Sequence, residues 1–142
     1  MKYYYKGDLK KIIIINDKYK IIGSIDNLYE LLMNVWCNDT CAPRLRYKWC
    51  EKRKTIGQCS ITSFLVQEIF GGDVYGVEVD CGIHCFNKID DIIVDLTSSQ
   101  FDYQLNYEKC KKQDKKEHFM SEEKRMRYEY LKEKLDEEIK KI

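Results

Sequence analysis

The sequence has few features that interrupt regular folding. It contains one proline among 142 residues, and 44% of its residues are hydrophobic, which together exclude a chain that is disordered throughout. It also has no long hydrophobic run: residues 12–15 are all isoleucine, but a membrane span needs about 20 apolar residues. Residues 1–5 lack the apolar core of a secretory signal. We therefore expect a single domain of residues 1–142, located in the cytoplasm and without a membrane partner.

The net charge is also small, at +1, and no block of lysine and arginine resembles a nucleic-acid footprint. We therefore expect no nucleic-acid partner. The charges are nevertheless unevenly distributed, because residues 55–108 carry one basic and nine acidic side chains. If these acids surround a binding site, the substrate should be neutral or cationic. Alternatively, they form an outer face that pairs with the basic residues of the two chain ends.

Histidine is scarce, with two residues, whereas cysteine is abundant, with seven. An odd number of cysteines without a secretory signal favours reduced thiols over a disulfide framework. Two C-x3-C pairs, Cys37 with Cys41 and Cys81 with Cys85, raise the alternative of a zinc site. However, Cys81 and Cys85 would lie about 13 Å apart in an extended strand, so one ion could not bind both without a bend at Gly82. We expect no metal and no cofactor.

The N-terminal part of the chain is predicted to form a hairpin followed by a helix. Two β-branched runs, at residues 12–15 and 19–22, predict a hairpin inside an N-terminal extension of residues 1–23. Ser24 can cap the helix that follows, whose apolar residues recur at helical spacing. The polar residues 38–56 then predict a loop.

The central part is predicted to form a helix and a small sheet. Apolar residues at helical spacing predict a helix from Cys59 to about Phe70, which the pair Gly71-Gly72 ends. Alternating and β-branched segments predict three strands, at residues 74–79, 83–87 and 92–97. A tight turn centred on Ile89-Asp90 would join the last two strands.

The C-terminal part is predicted to form a polar surface loop at residues 102–120 and then a long helix at 121–141, which Ser121 can cap. Helices flanking a small sheet indicate an α+β fold. In this interpretation residues 24–101 form the core that carries the candidate site.

Cys59, His84 and Asp95 are the candidate catalytic residues. Cys59 begins a helix, where unpaired backbone N–H groups and the helix dipole favour a thiolate. The expected turn places His84 opposite Asp95 on one face of the hairpin, with Cβ atoms ~4.5–5.5 Å apart; a shift by one residue would separate them. His84 could then accept the thiol proton while Asp95 orients the imidazole.

Candidate oxyanion donors lie next to Cys59 in the sequence. The Gln58 side chain and the backbone N–H of Cys59 could stabilise a developing oxyanion. Each triad residue also has a structural interpretation: a free cysteine acts as a small buried hydrophobe, a strand histidine can be a satisfied core group, and an aspartate at a strand end can support a turn.

Several short motifs resemble the YunG family of uncharacterised bacterial proteins, over about residues 25–135. The motifs are Gly57-Gln58-Cys59-Ser60-Ile61-Thr62, Phe70-Gly71-Gly72, His84-x-x-Asn87, Asp95-Leu96-Thr97 and Gln100-Phe101. The family is similar in layout to small papain-like proteins. The resemblance therefore implies a papain-like fold in which the nucleophile helix packs on a small antiparallel sheet, with N- and C-terminal helices at its flanks.

The resemblance also implies roles for individual residues. Cys59, His84 and Asp95 correspond to nucleophile, base and orienting group, and Asn87 would support a turn. The sequence departs from the family pattern in its N-terminal extension and at Asp91, where a turn glycine is expected.

Together these features predict a papain-like cysteine hydrolase or acyltransferase that acts on an amide, isopeptide or thioester bond. The alternative is a non-catalytic module that binds a ligand or a protein on the same scaffold. No pattern in the sequence predicts the oligomeric state.

Overall fold

A five-stranded antiparallel sheet with helices makes up a mixed α+β structure. The computed structural model describes residues 2–142. The strands are β1 (Tyr4–Lys6), β2 (Asp73–Val79), β3 (Gly82–Ile89), β4 (Ile92–Asp95) and β5 (Cys110–Gln113), and the helices are α1 (Ile25–Met33), α2 (Cys59–Phe70), α3 (Lys115–His118) and α4 (Glu122–Ile139). The strand order in the sheet is β1-β4-β3-β2-β5. Within residues 2–142, no helix has both the length and the hydropathy needed to cross a membrane.

Helix α2 lies at the centre of the main hydrophobic core and has the bounds that the sequence predicts. Its apolar residues Ile61, Phe64, Leu65 and Ile69 are fully buried, and burial of each such side chain contributes about 1.5–3 kcal/mol. The helix ends at Gly71, whose φ of 82° is a conformation that glycine adopts without strain. Its amino end, with Cys59, is thereby placed at the edge of the core.

The N-terminal hairpin that the sequence predicts is absent from residues 2–23. Residues Asp17–Ile22 instead form 3-10 turns, with the Asn16 side chain accepting a hydrogen bond from the Lys18 N–H at 3.1 Å. The prediction fails because an Asn side chain can start a helical turn as readily as a hairpin turn. In addition, the turn buries Tyr19 and Ile22 on one side. The strand of this region is β1, which pairs with β4.

The hairpin of β3 and β4 forms with a pairing shifted by two residues from the expected one. Its turn lies at Asp90 and Asp91, so that Ile89 is opposite Ile92 and Asn87 is opposite Val94. Asp90, with a φ of 51°, takes the left-handed conformation, which explains how the turn forms without the glycine expected at position 91. Because side chains alternate with a period of two, this shift leaves each residue on its expected face.

The C-terminal helix also forms as predicted, and Ser121 caps it by accepting a hydrogen bond from the Lys124 N–H at 3.3 Å. The segment before it differs from the expected polar loop. It contains the edge strand β5, which pairs with β2, and the short helix α3. These two elements bring His118 over the amino end of α2, where its ring packs against Phe64.

Candidate active site

The thiol of Cys59 lies in a cleft of about 510 Å³ between the amino end of α2, strand β3 and the first turn of α4. The residues of this cleft that bear on the chemistry are Cys59, His84, Cys85, Gln100, His118 and Lys124. A cavity of this volume is typical of small-molecule sites. The structure thus places the candidate nucleophile where a substrate can reach it.

Two neighbours of Cys59 favour its thiolate form. A hydrogen bond from the Cys85 thiol is the largest cause that lowers the pKa of Cys59 well below its ordinary value, and a hydrogen bond and charge attraction from His84 lower it further. Burial opposes this shift by penalising the charged form. The same interaction raises the pKa of Cys85, so Cys59 is the thiol of the pair that ionises. Its place at a helix start supports this direction.

His84 and Asp95 form a buried pair, as the sequence predicts, although the strand pairing differs from the predicted one. The Nε2 atom of His84 lies 2.7 Å from the Oδ2 atom of Asp95, and both side chains are 1% exposed. Because the pairing is shifted by two residues, the two lie diagonally on the predicted face instead of directly opposite. Burial alone lowers the pKa of His84, but the charge and hydrogen bond of Asp95 outweigh it and raise the pKa to about 10.

The Asp95 carboxylate is fixed by further donors. Its Oδ2 atom also accepts a hydrogen bond from the Tyr107 hydroxyl at 2.7 Å, and its Oδ1 atom accepts one from the Thr97 N–H at 3.2 Å. Several hydrogen bonds from separate parts of the chain hold a buried carboxylate in one position. Sequence reasoning missed Tyr107 because residues 102–120 show no periodic pattern.

The second ring nitrogen of His84 contacts Gln100, a residue that lines the cleft. The Gln100 amide nitrogen lies 3.2 Å from His84 Nδ1, and the Phe101 ring contacts the imidazole edge-on at a centroid distance of 4.9 Å. Since Asp95 engages Nε2, the Nδ1 side is the one available to Cys59. Gln100 and Phe101 form one of the short motifs of the sequence, and this motif is the sequence signal that points to them.

The other two predicted site residues have structural contacts. The Gln58 side chain is fully buried, its amide nitrogen donates to the Cys37 carbonyl at 3.1 Å, and the residue is not among those that line the cleft. Asn87 donates from its amide to the Ser63 carbonyl at 2.8 Å and so fastens β3 to α2, whereas the sequence suggested support of a turn. The backbone N–H of Cys59 remains as a candidate oxyanion donor.

The charges at the cleft differ from those expected if the acidic segment surrounded the site. The charged residues that line the cleft are Arg44, Glu123, Lys124 and Arg127, and none of the nine acidic residues of 55–108 is among them. Two of those acids instead pair with lysines of the chain's C-terminal part: Glu68 with Lys132 and Asp73 with Lys112, both at 3.2 Å. The acidic segment therefore gives no support for a neutral or cationic substrate, and its acids fit the alternative of an outer face.

The cysteines form neither a disulfide nor a metal cluster in residues 2–142. All seven are free thiols, and no group of three or more His, Cys, Asp or Glu side chains is close enough to hold an ion. Of the pair at 81 and 85, Cys81 is exposed on a turn while Cys85 is buried beside Cys59.

Gly57 holds the loop that forms one wall of the cleft, so alanine at this position should destabilise the protein. Gly57 has a φ of 72°, and an added Cβ would overlap the Cys41 sulfur and lie 3.0 Å from the Ala42 nitrogen. We expect Gly57→Ala to lower the free energy of unfolding in urea by about 1–3 kcal/mol.

A matched control is Gly23→Ala, since Gly23 also has a positive φ, of 89°, but an added Cβ there would meet only the flexible end of Asn27. Equal losses in the two variants would show that the loop contact at Gly57 contributes nothing beyond backbone strain.

The paired titration of Cys59 and His84 predicts stability that changes little between pH 6.5 and 8.5. The raised pKa of His84 stabilises the fold fully below about 6.5, and this stabilisation is lost as the pH rises through about 10. The lowered pKa of Cys59 stabilises the fold above about 8.5, and this stabilisation is lost as the pH falls. Between these values the folded and unfolded pair each hold one proton, so the two slopes cancel.

Urea denaturation from pH 5 to 10 checks this expectation. The Cys59→Ser variant removes the thiolate but keeps the His84–Asp95 pair, so its stability should fall with rising pH from about 6.5 onward. A wild-type protein with the same downward slope from pH 6.5 to 8.5 would contradict the paired titration.

Similarity to known proteins agrees with the motifs of the sequence. A family model described as YunG protein matches residues 24–140. The Uncharacterized protein YunG of Bacillus subtilis (strain 168) is 36% identical over 61 residues, which cover 43% of this chain and 53% of that relative. The match thus spans about half the length of the curated relative. No solved structure matches the chain. Because the family model extends from the cap of α1 to the end of α4, the chain belongs to the YunG family.

Proposed function

We propose that this protein is a cysteine hydrolase or acyltransferase with a papain-like arrangement of Cys59, His84 and Asp95, acting on an amide, isopeptide or thioester bond. The observation that carries the proposal is the buried His84–Asp95 pair, whose side chains lie 2.7 Å apart beside the cleft that also contains the Cys59 thiol. The lowering of the Cys59 pKa by His84 supports the same arrangement. A nucleophile, a base and a group that orients the base are the three parts that covalent catalysis by cysteine requires.

The proposed reaction begins with the Cys59 thiolate and the His84 imidazolium. The thiolate attacks the substrate carbonyl carbon, and the carbonyl oxygen becomes an oxyanion beside the backbone N–H of Cys59. His84 then gives its proton to the leaving amine or thiol, which departs and leaves a thioester on Cys59. In the second half, neutral His84 takes a proton from water or an acceptor amine, which attacks the thioester and restores the thiolate.

The surroundings of His84 suit this role. Asp95, held by Tyr107 and Thr97, stabilises the imidazolium and keeps Nε2 engaged. This leaves Nδ1 to exchange the proton with Cys59 and the substrate. The edge-on contact of Phe101 limits rotation of the ring.

A generic activated ester tests the proposal without knowledge of the substrate. We expect p-nitrophenyl acetate to give a rapid release of one equivalent of nitrophenol, an acetylated Cys59 found by peptide mapping, and then slower turnover. The Cys59→Ser variant should lose the burst, whereas Cys110→Ser, which removes a half-buried thiol outside the cleft, should retain it. A protein that shows no Cys59 acetylation would instead fit the non-catalytic binding module.

A further inference from the structure

The cleft beside Cys59 has a strongly cationic wall, formed by Arg44, Lys124 and Arg127. These residues come from two separate parts of the chain: Arg44 lies on the turn Pro43–Leu45, while Lys124 and Arg127 lie in the first turns of α4. The acidic residue that lines the cleft with them is Glu123. The wall therefore carries more positive than negative charge.

The partners of these side chains show which charges are unbalanced. Glu123 is engaged by Arg127, with Oε2 2.6 Å from Nε, and Arg127 also donates to the Thr40 carbonyl. Arg44 donates to the Cys81 carbonyl, which is uncharged. Within residues 2–142, neither Arg44 nor Lys124 has a carboxylate within salt-bridge distance. Two cations thus line the cleft without a carboxylate partner from the described residues.

His118 adds an unsatisfied polar group to the same cleft. Its Nε2 atom is buried and has no hydrogen-bond partner among the described residues. Burial, reinforced by the charges of Lys124 and Arg127, lowers the pKa of His118 to about 4, so the ring is neutral and Nε2 can carry a hydrogen to donate. A buried polar atom without a partner costs stability unless a ligand satisfies it.

We propose that the cationic wall of Arg44, Lys124 and Arg127, with His118, binds a carboxylate of the substrate, so that the preferred acyl compound carries a negative charge near the bond that is broken. This inference rests on the proposed function, because it assigns the substrate class of the Cys59 site. Arg44 and Lys124 would supply the opposite charge, and His118 a directional hydrogen bond. The proposed anionic substrate differs from the neutral or cationic substrate expected from the acidic segment.

Two alkylating reagents that differ in charge test the inference. Iodoacetate carries a carboxylate next to its reacting carbon, and iodoacetamide is its neutral isostere. The ratio of the iodoacetate rate to the iodoacetamide rate is measured by peptide mapping for Cys59 and, as an internal control, for the exposed Cys50. We expect the ratio at Cys59 to exceed that at Cys50 by on the order of tenfold at low salt, and the difference to shrink at 1 M salt.

Two lysine variants on one helix locate the effect. Lys124→Gln should lower the Cys59 ratio several-fold, because it removes an unpaired cation from the cleft. Lys134→Gln is the matched control, since Lys134 lies ten residues along α4, about 15 Å away, and does not line the cleft. Circular dichroism confirms that both variants fold.

The outcomes separate the two proposals. Rapid reaction of Cys59 with iodoacetamide and no iodoacetate preference over Cys50 would overturn the carboxylate site and leave the cysteine mechanism standing. Equal iodoacetate-to-iodoacetamide ratios at Cys59 in Lys124→Gln and Lys134→Gln would also overturn the carboxylate site. A Cys59 that reacts with iodoacetamide no faster than Cys50 below pH 7 would overturn both.

Discussion

Replacement of His84 by alanine is expected to slow the alkylation of Cys59 by iodoacetamide about tenfold at pH 6.5. With His84 present, its charge and hydrogen bond help hold the pKa of Cys59 well below the ordinary value. The Cys85 hydrogen bond remains in the variant, so the Cys59 pKa rises toward about 8.5 without fully reaching it, and the thiolate fraction at pH 6.5 falls by at most ~100-fold. A more basic thiolate is also a better nucleophile, and this raises the alkylation rate of each thiolate by roughly tenfold. The two effects together leave a net loss of rate of about tenfold.

The pH profile distinguishes this effect from a general loss of structure. In the wild type we expect the Cys59 rate to be nearly constant from pH 6.5 to 8.5, whereas in His84→Ala it should rise steeply over that range. Cys50, which is exposed, should react identically in both proteins. A wild-type Cys59 that titrates as Cys50 does would remove the basis for a primed nucleophile.

Replacement of Asp95 by alanine is expected to lower the free energy of unfolding by about 3–5 kcal/mol. The carboxylate accepts hydrogen bonds from His84, Tyr107 and the Thr97 N–H, and all of these donors are buried. Alanine would leave a buried imidazole without its counter-charge and two further donors without a partner, and each orphaned group costs stability. Urea denaturation at pH 7 measures the loss.

Two further variants serve as comparisons for the stability loss in Asp95→Ala. Asp102→Ala removes an acid that is 93% exposed and only at the limit of pairing with Arg53, so it should change stability by no more than about 0.5 kcal/mol. Tyr107→Phe removes one of the hydrogen bonds to Asp95 and should cost about 1 kcal/mol. A loss in Asp95→Ala as small as that in Asp102→Ala would mean that the buried pair contributes nothing to the fold.

The sequence predicts the elements around Cys59 well because they follow strong periodic patterns. Helix α2 has both a clear apolar stripe and a glycine stop, and its bounds agree with the prediction. The predicted pairing of β3 with β4 differs from the observed one by two residues. A shift of two residues leaves each side chain on the same face of the sheet. The prediction that His84 and Asp95 lie side by side is therefore confirmed.

Features that depend on contacts between distant parts of the chain cannot be predicted from local sequence patterns. The isoleucines of residues 12–15 have high strand propensity, yet the chain there packs on α2, with the Ile15 N–H donating to the Ile69 carbonyl. Tyr107 and His118 lie in a segment with no periodic pattern, so nothing in the sequence indicates that they reach the site. The direction of the Gln58 amide depends on the Cys37 carbonyl, which is distant in the chain.

Strand β1 protects an edge that would otherwise be open to other molecules. It covers β4, with Tyr4 opposite Asp95, and lies outside the segment of residues 24–140 that the family model matches. A chain trimmed to that segment would expose the N–H and C=O groups of β4, and such open edges recruit strands from other chains. We expect the trimmed protein to form concentration-dependent oligomers in size-exclusion chromatography. The pairing of β1 with β4 therefore protects this protein against aggregation through the sheet edge.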